Sequence, residues 1–221
     1  MSVLQDTSDR RNICDKSKEE DFEICVGVLQ KYKGAAIHAE IPNGVVAIEA
    51  AFKGYAYLKS VVIPNSVEQI GKDAFQKCAA LASIVIPDSV KAIGENAFSG
   101  CTSLKTLLIP SSVKTIAASA FSGCTSLEEL TLSNGVEVIG TSAFQGCKAL
   151  KRISIPSSMK KIENAAFLRC SGLKRVDCAG RPEISSSAFD YTSYHRCPEC
   201  NSGLDFFDRC KNPNCKKYKK Y

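Results

Sequence analysis

Apolar residues recur in this chain with a period far longer than that of a helix or a strand. Phenylalanine stands at Phe52, Phe75, Phe98, Phe121, Phe144 and Phe167, a spacing of 23 residues kept five times in succession. Leucine keeps the same step at Leu58, Leu81, Leu104, Leu127, Leu150 and Leu173, and cysteine at Cys78, Cys101, Cys124, Cys147 and Cys170. A strict period of that length predicts a repeat solenoid, in which each unit buries its apolar face only by stacking on the next. Within a unit such as Leu104-Lys105-Thr106-Leu107-Leu108-Ile109-Pro110, alternate residues turn inward and predict a strand, which the proline ends because it cannot donate to a ladder. Turn residues follow at Asn65-Ser66, Asp88-Ser89, Ser111-Ser112 and Asn134-Gly135. A second short strand is expected at Val90-Lys91-Ala92-Ile93, then a single helical turn at Ala97-Phe98-Ser99-Gly100-Cys101 with Glu95 or Asn96 as its cap.

The period also sets the boundaries. Residues 1–21 are polar, charged and aperiodic, and are expected to form a disordered or loosely helical leader. Residues 22–40 alternate apolar and polar around Gly27, which suggests a hairpin capping the array. The solenoid occupies residues 41–190, and its last copy is irregular: Cys178-Ala179 replaces Ile-Pro, and Phe189 arrives after 22 residues. Residues 191–221 abandon the pattern and form a separate module with a basic tail.

The Ile-Pro-x-Ser-Val-x-x-Ile-Gly-x-x-Ala-Phe-x-Gly-Cys-x-x-Leu columns resemble the BspA-like leucine-rich repeat family over about residues 22–189. The resemblance implies a leucine-rich-repeat, right-handed β/α superhelix of short strands and single helical turns. For function it implies a scaffold, since the family includes surface adhesins and many uncharacterised proteins.

Net charge is +6 over 221 residues, and residues 196–221 hold seven basic side chains against three acidic ones. The excess is thus concentrated at one end, a pattern suited to phosphate or to plain solvation. Twelve cysteines without a secretory leader point to a reducing, cytoplasmic setting. No stretch approaches the ~20 apolar residues of a membrane span. The five periodic cysteines read as a buried thiol column, while Cys14, Cys25 and Cys178 fall outside both cysteine patterns.

The second pattern is Cys197-Pro198-Glu199-Cys200, nine residues, then Cys210-Lys211-Asn212-Pro213-Asn214-Cys215. Two close pairs on tight turns can converge four thiolates on Zn(II) at about 2.3 Å, and such a closed shell is structural. A short polar segment gains the free energy to fold from the metal. The block looks like the four-Cys zinc fingers of NAD-dependent DNA ligases and is similar to topoisomerase zinc ribbons, although Asn201 replaces the usual glycine. That resemblance raises a nucleic-acid reading in which Phe206 and Phe207 stack bases while Lys216, Lys217, Lys219 and Lys220 meet phosphates. The alternative packs both rings over the metal, and the zinc–tetrathiolate charge of about −2 offsets part of the tail.

Catalytic constellations are missing from the pattern. The two histidines, His38 and His195, lie outside the regular repeats, so a histidine-based triad within the array has no base. No small-molecule substrate is implied. The strand alternation instead turns Val62, Val85 and Leu108 outward in one column, continued by Thr131, Ser154 and Asp177. Positive charge gathers at Lys151, Arg152, Lys160, Lys161, Lys174 and Arg175, a candidate partner surface. The expected function is a non-enzymatic protein-interaction scaffold. Its rivals are a nucleic-acid adaptor anchored through the C-terminal module and a BspA-like surface adhesin.

Overall fold

In the computed structural model, which describes residues 21–193, the chain winds into a β-solenoid of about seven turns. It opens with β1 (Phe22–Cys25), β2 (Val28–Tyr32), β3 (His38–Glu40), β4 (Ala47–Ile48) and β5 (Ser60–Val62). The regular rungs follow as β6 (Gln69–Ile70), β7 (Ala92–Ile93), β8 (Thr106–Ile109), β9 (Thr115–Ile116) and β10 (Glu129–Leu132). The last turns hold β11 (Val138–Ile139), β12 (Arg152–Ile155), β13 (Lys161–Ile162), β14 (Arg175–Cys178) and β15 (Glu183–Ile184).

One face is a nine-stranded sheet in the order β1-β2-β4-β6-β7-β9-β11-β13-β15. Its first pair is an antiparallel hairpin with a bulge between Glu23 and Ile24, and every later pairing is parallel. From β4 onward its strands are two residues long, because Ile48, Ile70, Ile93, Ile116, Ile139 and Ile162 each point into the core and the chain turns at once. The Leu-x-x-Val-x-Ile segments form a second face broken into three two-stranded ladders: β3-β5, β8-β10 and β12-β14. Residues 81–86 run along this face without joining a ladder, which departs from the strand expected there.

Inside, the repeat columns stack as the period requires. Phe52, Phe75, Phe98, Phe121, Phe144, Phe167 and Phe189 form seven successive rings at 5.0–5.3 Å with planes within 11° of parallel. Tyr32 closes the N-terminal end against Phe52 at 5.0 Å. Burying each ring contributes about 1.5–3 kcal/mol. The five column cysteines are free, fully buried thiols, and each donates to the carbonyl of the phenylalanine 26 residues before it, at 3.0–3.4 Å. Several repeat serines do more than turn the chain: Ser66, Ser89 and Ser158 donate to the carbonyls of Val45, Val67 and Val136 one rung back.

The expected helical turn is absent, and no helix occurs among the described residues. Its place is taken by a turn bracketed by left-handed residues, as at Asn96 (φ 55°) and Gly100 (φ 76°). An α-helix would send the Phe98 N–H to a carbonyl four residues back, but it donates to Ala120 of the next rung instead. Asn96 and Gly100 likewise donate to Ala118 and Ser122. Three amides per rung thus point the same way along the axis, a pattern repeated from Ala50, Phe52 and Gly54 to Ser142, Phe144 and Gly146. Backbone donors are satisfied between rungs rather than within a helix.

Candidate functional site

The broken face carries the exposed chemistry. Alternation along β5, residues 83–86 and β8 buries Val61, Ile84, Leu107 and Ile109 and leaves Val62, Val85 and Leu108 in solvent, at 56%, 79% and 54% exposure. These three occupy equivalent positions on successive rungs, so the ring column beneath holds them about one rung apart, near 5 Å. Thr131, Ser154 and Asp177 continue the column as exposed polar residues.

The six basic candidates do not come together as one group. Lys151, Arg152, Lys174 and Arg175 lie on the broken face, whereas Lys160 and Lys161 stand at β13 in the nine-stranded sheet. There Lys160 pairs with Glu137 at 2.6 Å, and this hydrogen bond holds the Glu137 carboxyl below its ordinary value. Lys161 sits 3.9 Å from Glu163. On the broken face a depression of ≈ 460 Å³ is lined by Lys151, Arg152, Lys174 and Arg175 together with Lys148 and Glu128. Lys148 was not visible from the sequence pattern, because its column holds Ala79, Thr102 and Thr125 in earlier rungs. A second depression of ≈ 490 Å³ opens where β10 and β12 share no ladder, and its charged lining is balanced: Glu128 and Glu129 against Lys151 and Arg152.

Burial, rather than activation, governs the titratable core. Loss of solvent pushes the Cys78 and Cys124 thiols up to about 12. Cys147 is raised by its contact with Cys170 and by burial. Such thiols are poor nucleophiles and poor metal ligands. His38 Nδ1 lies 2.6 Å from Ser60 Oγ on adjacent exposed strands. No carboxylate orients that ring among the described residues, so the third member of a triad is lacking. No three His, Cys, Asp or Glu side chains cluster as metal ligands among the described residues. Cys197, Cys200, Cys210 and Cys215, with Phe206, Phe207, Lys216, Lys217, Lys219 and Lys220, lie outside them. No described helix is long and apolar enough to cross a membrane.

Comparison with known proteins agrees with this architecture. A family model for the BspA type leucine rich repeat region matches in six copies, over residues 32–118 and 103–218. Among solved structures, the T. pallidum leucine rich repeat protein TpLRR is 31% identical with a TM-score of 0.70, over 76% of this chain and 81% of that one. A leucine-rich repeat protein from Eubacterium ventriosum is 28% identical with a TM-score of 0.67, over 82% of this chain and 50% of that one. One from Bacteroides ovatus is 30% identical with a TM-score of 0.54, over 80% of this chain and 54% of that one. The chain therefore spans about half the length of these last two. Comparison with curated proteins gives no match. With the 23-residue columns, the stacked rungs and the family match in agreement, the chain belongs to the BspA-type leucine-rich repeat family.

Proposed function

We propose that this protein is a non-enzymatic protein-interaction scaffold whose recognition surface is the broken strand face. The observation that carries the reading is the exposed column of Val62, Val85 and Leu108. Three large apolar side chains on successive rungs, rigidly spaced by the ring stack below, form a surface that a partner gains by covering. The test places a photocrosslinking amino acid at Val85 in the full chain. A discrete set of protein adducts is expected from that site and not from Lys114, an exposed residue beside β9 in the other sheet. Equal adducts from both positions would refute the assignment.

A structural zinc held by Cys197, Cys200, Cys210 and Cys215 belongs to the same proposal, supported by two close cysteine pairs nine residues apart. Metal analysis of the purified chain should find one zinc, lost when Cys200 and Cys210 are both changed to Ser. A chain that purifies free of zinc under reducing conditions overturns this part. The proposed setting is a reducing compartment, supported by the buried, unbridged thiols of Cys78, Cys101, Cys124, Cys147 and Cys170. Recovery of the protein at the cell surface on fractionation would favour an adhesin instead.

A further inference from the structure

The last rungs of the broken face carry a charge arrangement that stability alone disfavours. β12 and β14 pair in parallel register with Arg152 beside Arg175, and the Lys174 N–H donates to the Lys151 carbonyl just before them. Like charges directly across a ladder destabilise it. Among the described residues two of these cations are offset: Arg175 by Asp177 of its own strand at 2.9 Å, and Lys151 by Glu128 at 3.8 Å. Lys148, Arg152 and Lys174 have no carboxylate within ion-pair reach among the described residues. Unpaired lysines occur on other rungs, but here they converge on one depression of ≈ 460 Å³ whose small residues are Ala149 and Gly172. Five cations and one carboxylate therefore line a hollow that no side chain among the described residues fills.

We infer that this hollow docks a short acidic stretch of a partner polypeptide, taking side-chain carboxylates between Lys148, Arg152 and Lys174. The inference rests on the scaffold reading and names the partner's chemistry. An Arg guanidinium binds carboxylate in a bidentate fork, and two lysines add point charges. Alternate residues of an extended chain are about 7 Å apart, comparable with the 5.3 Å between the rings of the two rungs that form the hollow. The basic zone is short: Glu128 and Glu129 bound it on the N-terminal side, and Asp177 stands beside Arg175. A long, uniformly charged polyanion running along the axis would meet those carboxylates. A polypeptide can place two acids in the hollow and then apolar side chains over Leu108 and Val85.

The test uses the full chain and a fluorescein-labelled peptide with a short Asp/Glu run followed by Val and Leu, read by anisotropy at about 0.15 M salt. Arg152→Glu with Lys174→Glu should weaken binding at least about tenfold, and Arg152→Gln with Lys174→Gln should give an intermediate loss. Lys160→Glu with Lys161→Glu makes the same change in net charge on the other sheet and should leave affinity within about twofold. Equal loss in both reversal variants, or none in either, overturns the site. Polyphosphate or heparin that binds more tightly and displaces the peptide overturns the polypeptide assignment. Urea melts of all variants verify folding. Failure of peptide binding while crosslinking at Val85 persists removes this inference and leaves the scaffold reading standing; the converse result removes the scaffold surface alone.

Discussion

Truncating Phe121 to Ala is the sharpest test of how the array holds together. The ring is fully buried, stacked on Phe98 at 5.0 Å and 3° and on Phe144 at 5.3 Å and 5°. Lost burial is worth about 1.5–3 kcal/mol, and two aromatic pairs add about 0.5–1.5 kcal/mol each. Both figures fit the roughly 3–5 kcal/mol that a buried Phe→Ala change costs. Phe121→Leu restores most of the burial but neither stacked pair, so it should cost about 1–3 kcal/mol. Urea denaturation followed by far-UV circular dichroism measures both. Hydrogen exchange adds position: the Phe98 and Phe121 amides, which donate to Ala120 and Ala143, should lose protection together, since an interior rung couples both neighbours. A cost under about 1 kcal/mol for Phe121→Ala would show that the ring column is not the packing spine. A Leu variant as stable as the parent would show that the rings contribute area and no stacking.

The thiol column makes the fold sensitive to alkali. Cys78 and Cys124 are pushed from 9.0 up to about 12 by burial, so above pH 9 the unfolded chain releases protons that the folded chain retains. Stability is therefore intact below about pH 9 and falls toward pH 12 by about 1.4 kcal/mol per pH unit per thiol. Cys124→Ala should remove one thiol's share of that slope in urea melts across pH, and an unchanged slope contradicts the account. Lys77 (φ 62°) and Arg169 (φ 60°) occupy the left-handed column that Gly54, Gly100, Gly123 and Gly146 fill elsewhere. Changing either to Gly should raise stability by about 0.5 kcal/mol; a loss in thermal melts would refute the strain argument. Ser158 Oγ donates to the Val136 carbonyl at 2.7 Å and accepts from the Gly135 N–H at 2.8 Å. Ser158→Ala should cost about 1–3 kcal/mol, and a neutral result in the same melts would show water replacing it.

The period and the inward columns were legible because identical residues in stacked rungs meet one another, so repetition along the chain becomes contact in space. Phe121 touches Phe98 and Phe144 for no other reason than the 23-residue step. The Ala-Phe-Ser-Gly-Cys run misled because its local preference for a helical turn loses to amides bonding the next rung, as Phe98 does to Ala120. Such bonds join residues 22 apart and leave no local signal. The basic group divided for a related reason. Lys160 follows Arg152 by only eight residues, yet the chain turns between them onto the other sheet. Lys148 joins Lys174 only when rungs are stacked.

The turn side, with its three aligned amides per rung, has an axial polarity of its own. Each peptide unit carries about 3.5 D, and an α-helix sums 3.6 of them per 5.4 Å turn. This side sums three per rung of 5.0–5.3 Å, a density close to that of a helix. Along this edge the N–H groups face the C-terminal end, so partial positive charge accumulates at that end of the edge and partial negative charge at its first rung, opposite in sense to sheet-face amides such as Lys91, Gly94 and Lys105, which donate to the preceding rung. Lys53 on the first turn and Asp190 on the last have the signs that this field favours. Because interior rungs cancel head to tail, gaining or losing a repeat in the middle leaves the terminal potentials unchanged. The array can therefore vary in length over evolutionary time while whatever meets either end of this edge encounters the same backbone electrostatics.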